Sequence, residues 1–211
     1  MWRFLRSRSD RNLPTVDGQA SCDYHEGKGQ AYDFKNDWFS EHIPKFTQYL
    51  APLRGTDCKL LEVGTHEGRS ATWLLENVAV DNASRLTCVD RRPQPNLIDN
   101  LSASGRFGRV DLRIGLSRDV LRVLEPASFD FIYIDGYHGQ IEVLEDAVLS
   151  FRLAKDGALI CFDDYLWDDP KFHHRNDGTP KISIDAFTTI FKKKIEIIEY
   201  GYQVWIRKLS D

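Results

Sequence analysis

The stretch Leu61-Glu-Val-Gly64-Thr-His-Glu-Gly68-Arg-Ser70 decides the fold. It closes a short apolar run, residues 59–63, and opens a helical pattern over residues 70–78, so it reads as a strand-to-helix turn. Gly64 lets the chain turn tightly where a side chain would be strained, and Gly68 lets backbone come close to a ligand. The helix start at Ser70 offers unpaired N–H groups to an anionic group. In open α/β sheets ligands bind beyond the carboxyl ends of the strands, which is where this turn stands.

Outward from that turn the chain alternates between strand and helix patterns. Strands are predicted over residues 85–90, 110–114, 129–134 and 158–162, with helices over 96–103, 117–124 and 140–152. Ser117 is expected to cap its short helix. Ile141, Leu144, Val148 and Phe151 share one face of the last of these helices. Strands alternating with helices of this length specify a parallel sheet covered on both faces. The chain's end differs. After a helix over residues 184–193 come two β-rich runs, 195–200 and 202–206, with only Gly201 between them, which predicts an antiparallel hairpin. Upstream, Trp38, Phe39, Ile43, Phe46, Tyr49 and Leu50 form an apolar stripe that Pro44 is expected to split or kink. Residues 1–35 are polar and aperiodic, and residues 165–183 are irregular, the kind of loop that forms a lid or substrate wall. The expected organisation is an arm and helical cover over residues 1–50 and one ligand-binding domain over residues 51–211.

Composition narrows the function classes. With 211 residues, 42% hydrophobic and 28% charged, the chain reads as one ordinary globular domain. A net charge of −4 gives no push towards nucleic acid, which usually demands a basic field. No apolar run approaches the ~20 residues that cross a bilayer, and no signal-peptide pattern opens the chain. The basic, Ser-rich residues 1–9 admit an organelle-targeting reading, against which stand their shortness and Asp10. Cys22, Cys58, Cys88 and Cys161 form no C-x-x-C pair, so neither zinc nor dithiol chemistry is supported and a reduced, cytoplasmic setting is expected.

Asp90 ends the second strand, 22 residues after Gly68, where an acid bonds ribose hydroxyls in nucleotide-binding folds. A dinucleotide fingerprint needs G-x-G-x-x-G, its middle glycine making room for pyrophosphate. Here His66 takes that place in a G-x-x-x-G pattern, which suits a ligand with ribose but no pyrophosphate. Glu62-x-Gly64-x-x-x-Gly68 resembles the first motif of class I S-adenosylmethionine-dependent methyltransferases. The resemblance covers residues 58–208 and implies a Rossmann-like, mostly parallel seven-stranded sheet ending in an antiparallel hairpin. It also implies that Glu62, Gly64, Thr65 and Gly68 shape the pocket for the cofactor's methionine part, that Asp90 holds the ribose, and that Leu116 and Ser117 contact adenine.

Asp135 follows the fourth strand in Ile132-Tyr-Ile-Asp135-Gly-Tyr-His138, and Asp163-Asp164 follow the fifth. Adjacent parallel strands bring these carboxyl ends together, and crowded carboxylates repel unless protons or a cation neutralise them. Hard oxygen ligands suit Mg²⁺ or a similar ion, which would hold a substrate hydroxyl beside the methyl donor. The motifs look like those of metal-dependent O-methyltransferases of the catechol, caffeoyl-CoA and macrocin types, which implies Asp135, Asp163 and Asp164 as metal ligands. No Lys matches the catechol-type base. His138 is the candidate general base, because imidazole titrates near neutral pH. Plainer readings stay open. Asp135 has the alternative of binding only the cofactor's amino group, Asp163 and Asp164 of capping a loop, and His138 of hydrogen bonding at a helix start. His173-His174 read as a solvated loop, and Trp38, Tyr165 and Trp167 as candidate walls of the acceptor site.

The sequence thus predicts methyl transfer from S-adenosylmethionine to a hydroxyl of a small-molecule acceptor, with no nucleic-acid or membrane partner. A homodimer is what the family allows, and no surface in the sequence specifies one. The rival expectations are a metal-independent N-methyltransferase, a nicotinamide oxidoreductase that the glycine spacing disfavours, and a non-catalytic cofactor-binding module.

Overall fold

The computed structural model describes residues 31–168 and 179–211. Seven strands, β1 (Lys59–Val63), β2 (Arg85–Asp90), β3 (Val110–Ile114), β4 (Phe129–Ile134), β5 (Ala154–Phe162), β6 (Ile195–Tyr200) and β7 (Val204–Lys208), form one sheet in the order β3-β2-β1-β4-β5-β7-β6. The first five pair in parallel, and β7 inserts antiparallel between β5 and β6. The strand order reverses between β1 and β4, which opens a crevice above their carboxyl ends.

The helices are α1 (Ile43–Leu50), α2 (Arg69–Asn77), α3 (Leu97–Ala103), α4 (Ser117–Val120), α5 (Gln140–Leu153) and α6 (Pro180–Phe191). They cover both faces of the sheet. On one face Val63, Ile132, Ile134, Ile160, Phe162 and Ile206 pack against Val143 and Phe151 of α5 and Ile184 and Phe187 of α6. On the other, Leu60, Leu86, Phe131, Tyr133 and Trp205 pack against Phe46 and Leu50 of α1, Leu74 of α2 and Leu101 of α3. Strands buried on both faces read as near-continuous apolar runs, which is why β1, β2 and β4 were legible.

Several expectations shift. Pro44 neither splits nor kinks a helix. It sits in the first turn of α1, after a 3₁₀ turn at Ser40–His42, where its missing N–H costs nothing. Trp38 leaves the apolar stripe and is 67% exposed. Ser117 does not cap α4: it is the first helical residue, and Leu116 occupies the cap position. The strand β5 begins at Ala154, and α6 begins at Pro180 rather than Ile184. The hairpin turn takes three residues, because Tyr200 pairs with Val204 and the Gly201 N–H donates to the Gln203 carbonyl at 3.0 Å. Cys58, Cys88 and Cys161 are buried free thiols. No helix among the described residues is long and apolar enough to cross a membrane.

Candidate active site

A cavity of 830 Å³ lies above the carboxyl ends of β1, β2, β4 and β5. Its walls include Gly64, Asp90, Leu116, Ser117, Asp135, His138, Asp163 and Asp164, so most of the residues singled out from the sequence meet in one space. Arg91 and Arg118 stand at the end served by β2 and α4, while the acidic groups gather at the end served by β4 and β5.

The glycine loop is built by close backbone approach. Gly64 has φ +93°, and a Cβ there would lie 1.9 Å from the Asp135 carbonyl oxygen, so the loop rests directly on the end of β4. Gly68, at φ +82°, precedes α2 and faces Leu97 and Leu101 of α3. Its bareness serves helix packing, and it does not line the cavity. Glu62, Thr65 and Ser70 also lie behind the cavity wall, all buried, with the Ser70 hydroxyl donating to Glu62 Oε1. Burial pushes the Glu62 carboxyl up to about 7, against the lowering effect of the Ser70 and Thr65 hydrogen bonds. Asp90 sits at the cavity edge. Its Oδ2 accepts the His66 backbone N–H at 2.7 Å and its Oδ1 that of Arg92 at 2.8 Å, which fixes the carboxylate and leaves a lone pair on each oxygen free to accept from hydroxyls.

At the acidic end the structure sorts the three aspartates. Asp135, His138 and Asp164 each present a ligand atom, all within 4.8 Å of one another. His138 Nε2 is 2.9 Å from Asp164 Oδ2, and the Tyr202 hydroxyl donates to Asp164 Oδ1 at 2.9 Å. Asp164 has φ +56°, a strained conformation for a residue with a side chain, of the kind that concentrates at functional sites. Asp163 turns to the layer behind. It accepts from the Tyr133 hydroxyl, from Gln203 Nε2 at 2.9 Å and from the Asp164 backbone N–H at 2.7 Å, with His42 Nε2 at 3.9 Å. Burial, followed by the charges of Asp163, Asp164 and Glu62, holds the Asp135 carboxyl well above the usual carboxylate range. Burial and then Asp164 raise Asp163. This end of the cavity carries more carboxylate than its own hydrogen bonds neutralise, which is the electrostatic condition a bound cation relieves.

Several residues in the site carried no sequence signal. His42 and Glu41 lie on a 3₁₀ turn without a motif, and Tyr202 and Gln203 lie in the hairpin turn. Only the insertion of β7 beside β5 brings Gln203 to Asp163. Tyr133 was identifiable in principle, because strand alternation turns it to the opposite face from Ile132 and Ile134. Trp167 lines the cavity with its ring 4.6 Å from His138, and Trp38 lines it with its ring 5.2 Å from His66. Tyr165 packs against Tyr200 instead. His173-His174 lie outside the described residues.

Residues 61–165 match the family model described as a methyltransferase domain. A catechol O-methyltransferase from Niastella koreensis is 30% identical over 129 residues, which is 59% of this chain and 56% of that protein. The chain spans about half the length of the curated relatives it matches. Among solved structures, the O-methyltransferase TomG from Streptomyces achromogenes, in complex with SAM, superposes with a TM-score of 0.62 at 17% identity, over 79% of this chain and 80% of that one. The MycE methyltransferase of the mycinamycin biosynthetic pathway, in complex with Mg and SAH, superposes with a TM-score of 0.59 at 16% identity, over 83% of this chain and 51% of that one. The strand order with its inserted β7, the glycine turn braced on β4 and these likenesses agree: over residues 61–165 the chain matches a methyltransferase domain, and it resembles the class I S-adenosylmethionine-dependent O-methyltransferases.

Proposed function

We propose that this chain transfers the methyl group of S-adenosylmethionine to a hydroxyl oxygen of a small-molecule acceptor, assisted by a divalent cation. The observation that carries the reading is the single cavity joining Asp90 at one end to Asp135, His138 and Asp164 at the other. We assign Asp90 to the ribose, Leu116 and Ser117 to the adenine, and Gly64 to the backbone approach at the methionine part. Glu62, Thr65, Gly68 and Ser70 act from behind, by holding that loop in shape. The relative named a catechol O-methyltransferase and the neighbours bound to SAM, or to Mg and SAH, support this assignment.

The donor set at the acidic end fits a hard cation. Asp135 and Asp164 supply carboxylate oxygens, and Asp163 completes the negative charge directly behind them. A cation held there would lower the pKa of the acceptor's hydroxyl and orient it. The protein's own contribution is positional and protonic. His138 accepts the hydroxyl proton, and the imidazolium so formed is paired where it stands, because Asp164 is 2.9 Å from its Nε2. The acceptor oxygen attacks the methyl carbon in line as the C–S bond breaks and its electron pair stays on sulfur. Trp167 and Tyr202 wall the space the acceptor would fill, while Trp38, against His66, stands at the ribose end. The division into an arm and helical cover over residues 1–50 and a cofactor-binding domain over residues 51–211, a cytoplasmic setting and a homodimeric assembly belong to the same proposal.

Calorimetric titration with S-adenosylmethionine, with and without Mg²⁺, tests the reading. We expect wild-type binding that weakens at least about tenfold in Asp90→Ala, and a separate Mg²⁺ heat that Asp135→Asn abolishes. Absence of S-adenosylmethionine binding under every condition overturns the proposal. Turnover that survives a chelator overturns its metal half and favours a metal-independent transferase.

A further inference from the structure

The segment leading into the domain is clasped to the glycine loop by a carboxylate within that loop. Glu67 Oε2 accepts the backbone N–H of Lys35 at 2.8 Å and of Asn36 at 3.1 Å, while Glu67 Oε1 accepts from Asn96 Nδ2 at 3.2 Å. Asn100, on α3, brackets the segment one turn away. Its Oδ1 accepts the Asp33 N–H at 2.8 Å, and its Nδ2 donates to the carbonyls of Asp33 at 3.2 Å and Glu67 at 2.9 Å. Arg69, on the other side of Gly68, reaches the same segment. Its guanidinium donates to the Ser40 hydroxyl at 2.5 Å, lies 3.5 Å from Asp37 and sits 5.4 Å from the centre of the Phe34 ring. Glu67 and Asn100 are both buried, and neither lines the cavity.

What the clasped segment carries does line it. Trp38 follows two residues after Asn36, and Glu41 and His42 follow shortly, all three on the cavity wall. The Trp38 ring meets the ring of His66, whose backbone N–H is bonded to Asp90. One short loop, from Gly64 to Gly68, therefore holds the ribose-side acid through His66 and the cover through Glu67. Side chains at adjacent loop positions point in different directions, so a single backbone path serves both purposes.

We propose that Glu67 and Asn100 are positioning residues that clasp residues 33–42 onto the glycine loop, so that Trp38 stands over the cofactor end of the cavity, and that release of this clasp sets the rate at which the cofactor enters and leaves. The proposal rests on the reading of the cavity as an S-adenosylmethionine site. It gives the residues ahead of α1 a specific role, which is to close over the donor, and their attachment is readable from the loop the donor occupies.

The test measures S-adenosylhomocysteine dissociation by rapid displacement in the full chain, beside hydrogen exchange at the amides of residues 33–38. Glu67→Ala and Asn100→Ala are expected to lose exchange protection there and to release S-adenosylhomocysteine at least about tenfold faster, the scale of losing charge-assisted hydrogen bonds at Glu67 and several buried neutral ones at Asn100. The KM for S-adenosylmethionine should rise more than kcat falls. Glu67→Gln, which retains an acceptor for the two amides, should restore most of the wild-type rate. Trp38→Ala should speed release as well, and the double variant Glu67→Ala/Trp38→Ala should be no faster than the faster single, because both remove one closure. Lost protection with unchanged dissociation, or simple additivity in the double variant, overturns the clasp. Failure of the wild type to bind S-adenosylhomocysteine at all would instead overturn the cofactor assignment beneath it.

Discussion

Gly64 shows how much of the site depends on one missing side chain. Its φ of +93° is one that side-chain-bearing residues rarely adopt, and a Cβ would also collide with the backbone of Asp135 and Gly136. Neither obstacle can be relieved by a rotamer change, since both partners are main chain. Gly64→Ala should cost about 2–4 kcal/mol of stability or prevent folding. Gly157, at φ +84°, has nothing within 4 Å of its would-be Cβ, and Gly157→Ala should cost only about 1 kcal/mol. Urea denaturation of the two variants checks this, and equal losses would refute the steric account. At this scale the sequence was informative where a residue's chemistry is its role. The acids at positions 90, 135 and 164 and the imidazole at 138 were each identified from strand ends. Adjacency in sequence makes Asp163 the equal of Asp164 and gives no hint that Asp163, although it borders the cavity, accepts from Tyr133 and Gln203 behind it.

At the scale of elements, α1 and the turn before it divide their apolar residues between two purposes. Phe46 is fully buried and meets Phe39, Trp73, Phe131, Tyr133 and Trp205 edge-on. Trp38, eight residues earlier, is largely exposed against His66. Phe46→Ala should therefore lose about 3–5 kcal/mol, as large-to-small changes do in a packed core, while Trp38→Ala should change stability by no more than about 0.5 kcal/mol. Thermal melts of the protein without cofactor separate the two, and comparable losses would contradict this division of the stripe. The apolar stripe was legible as a stripe. Its period could not say that the first member departs from the helix, because that depends on where the 3₁₀ turn begins. The strands were read with fewer errors than the helices and turns. A buried parallel strand announces itself by an unbroken apolar run, whereas a helix end or a three-residue turn is set by local hydrogen bonds such as that from Gly201 to Gln203.

For the molecule as a whole, the buried acids tie stability to pH. Burial holds Glu62 near 7 in the folded state, against about 4.5 when unfolded. Between these values the unfolded chain has released a proton that the folded chain keeps, so stability falls as pH rises from about 4.5 to about 7 and then levels. Asp135 adds in the same direction, its carboxyl raised by burial and by Asp163 and Asp164. Denaturant midpoints of the protein without added cation, taken near pH 5 and near pH 7.5, should show this decline. Glu62→Gln should flatten it, and an unchanged slope in that variant would show that Glu62 is not its source.

The sequence by itself determined the α/β class, the parallel order of alternation, the terminal hairpin and the chemistry available at the strand ends. Each of these follows from local periodicity or from the requirements of a tight turn, which are written residue by residue. Only the tertiary structure decided which residues share the site. The grouping of Asp135, His138 and Asp164, the bond from Gln203 to Asp163, and the clasp of residues 33–36 by Glu67 and Asn100 all join parts of the chain that are separate in sequence. Such contacts depend on β7 entering between β5 and β6 and on the cover lying across α2 and α3. No period within a window of sequence encodes them, because the energy that fixes them comes from packing between elements.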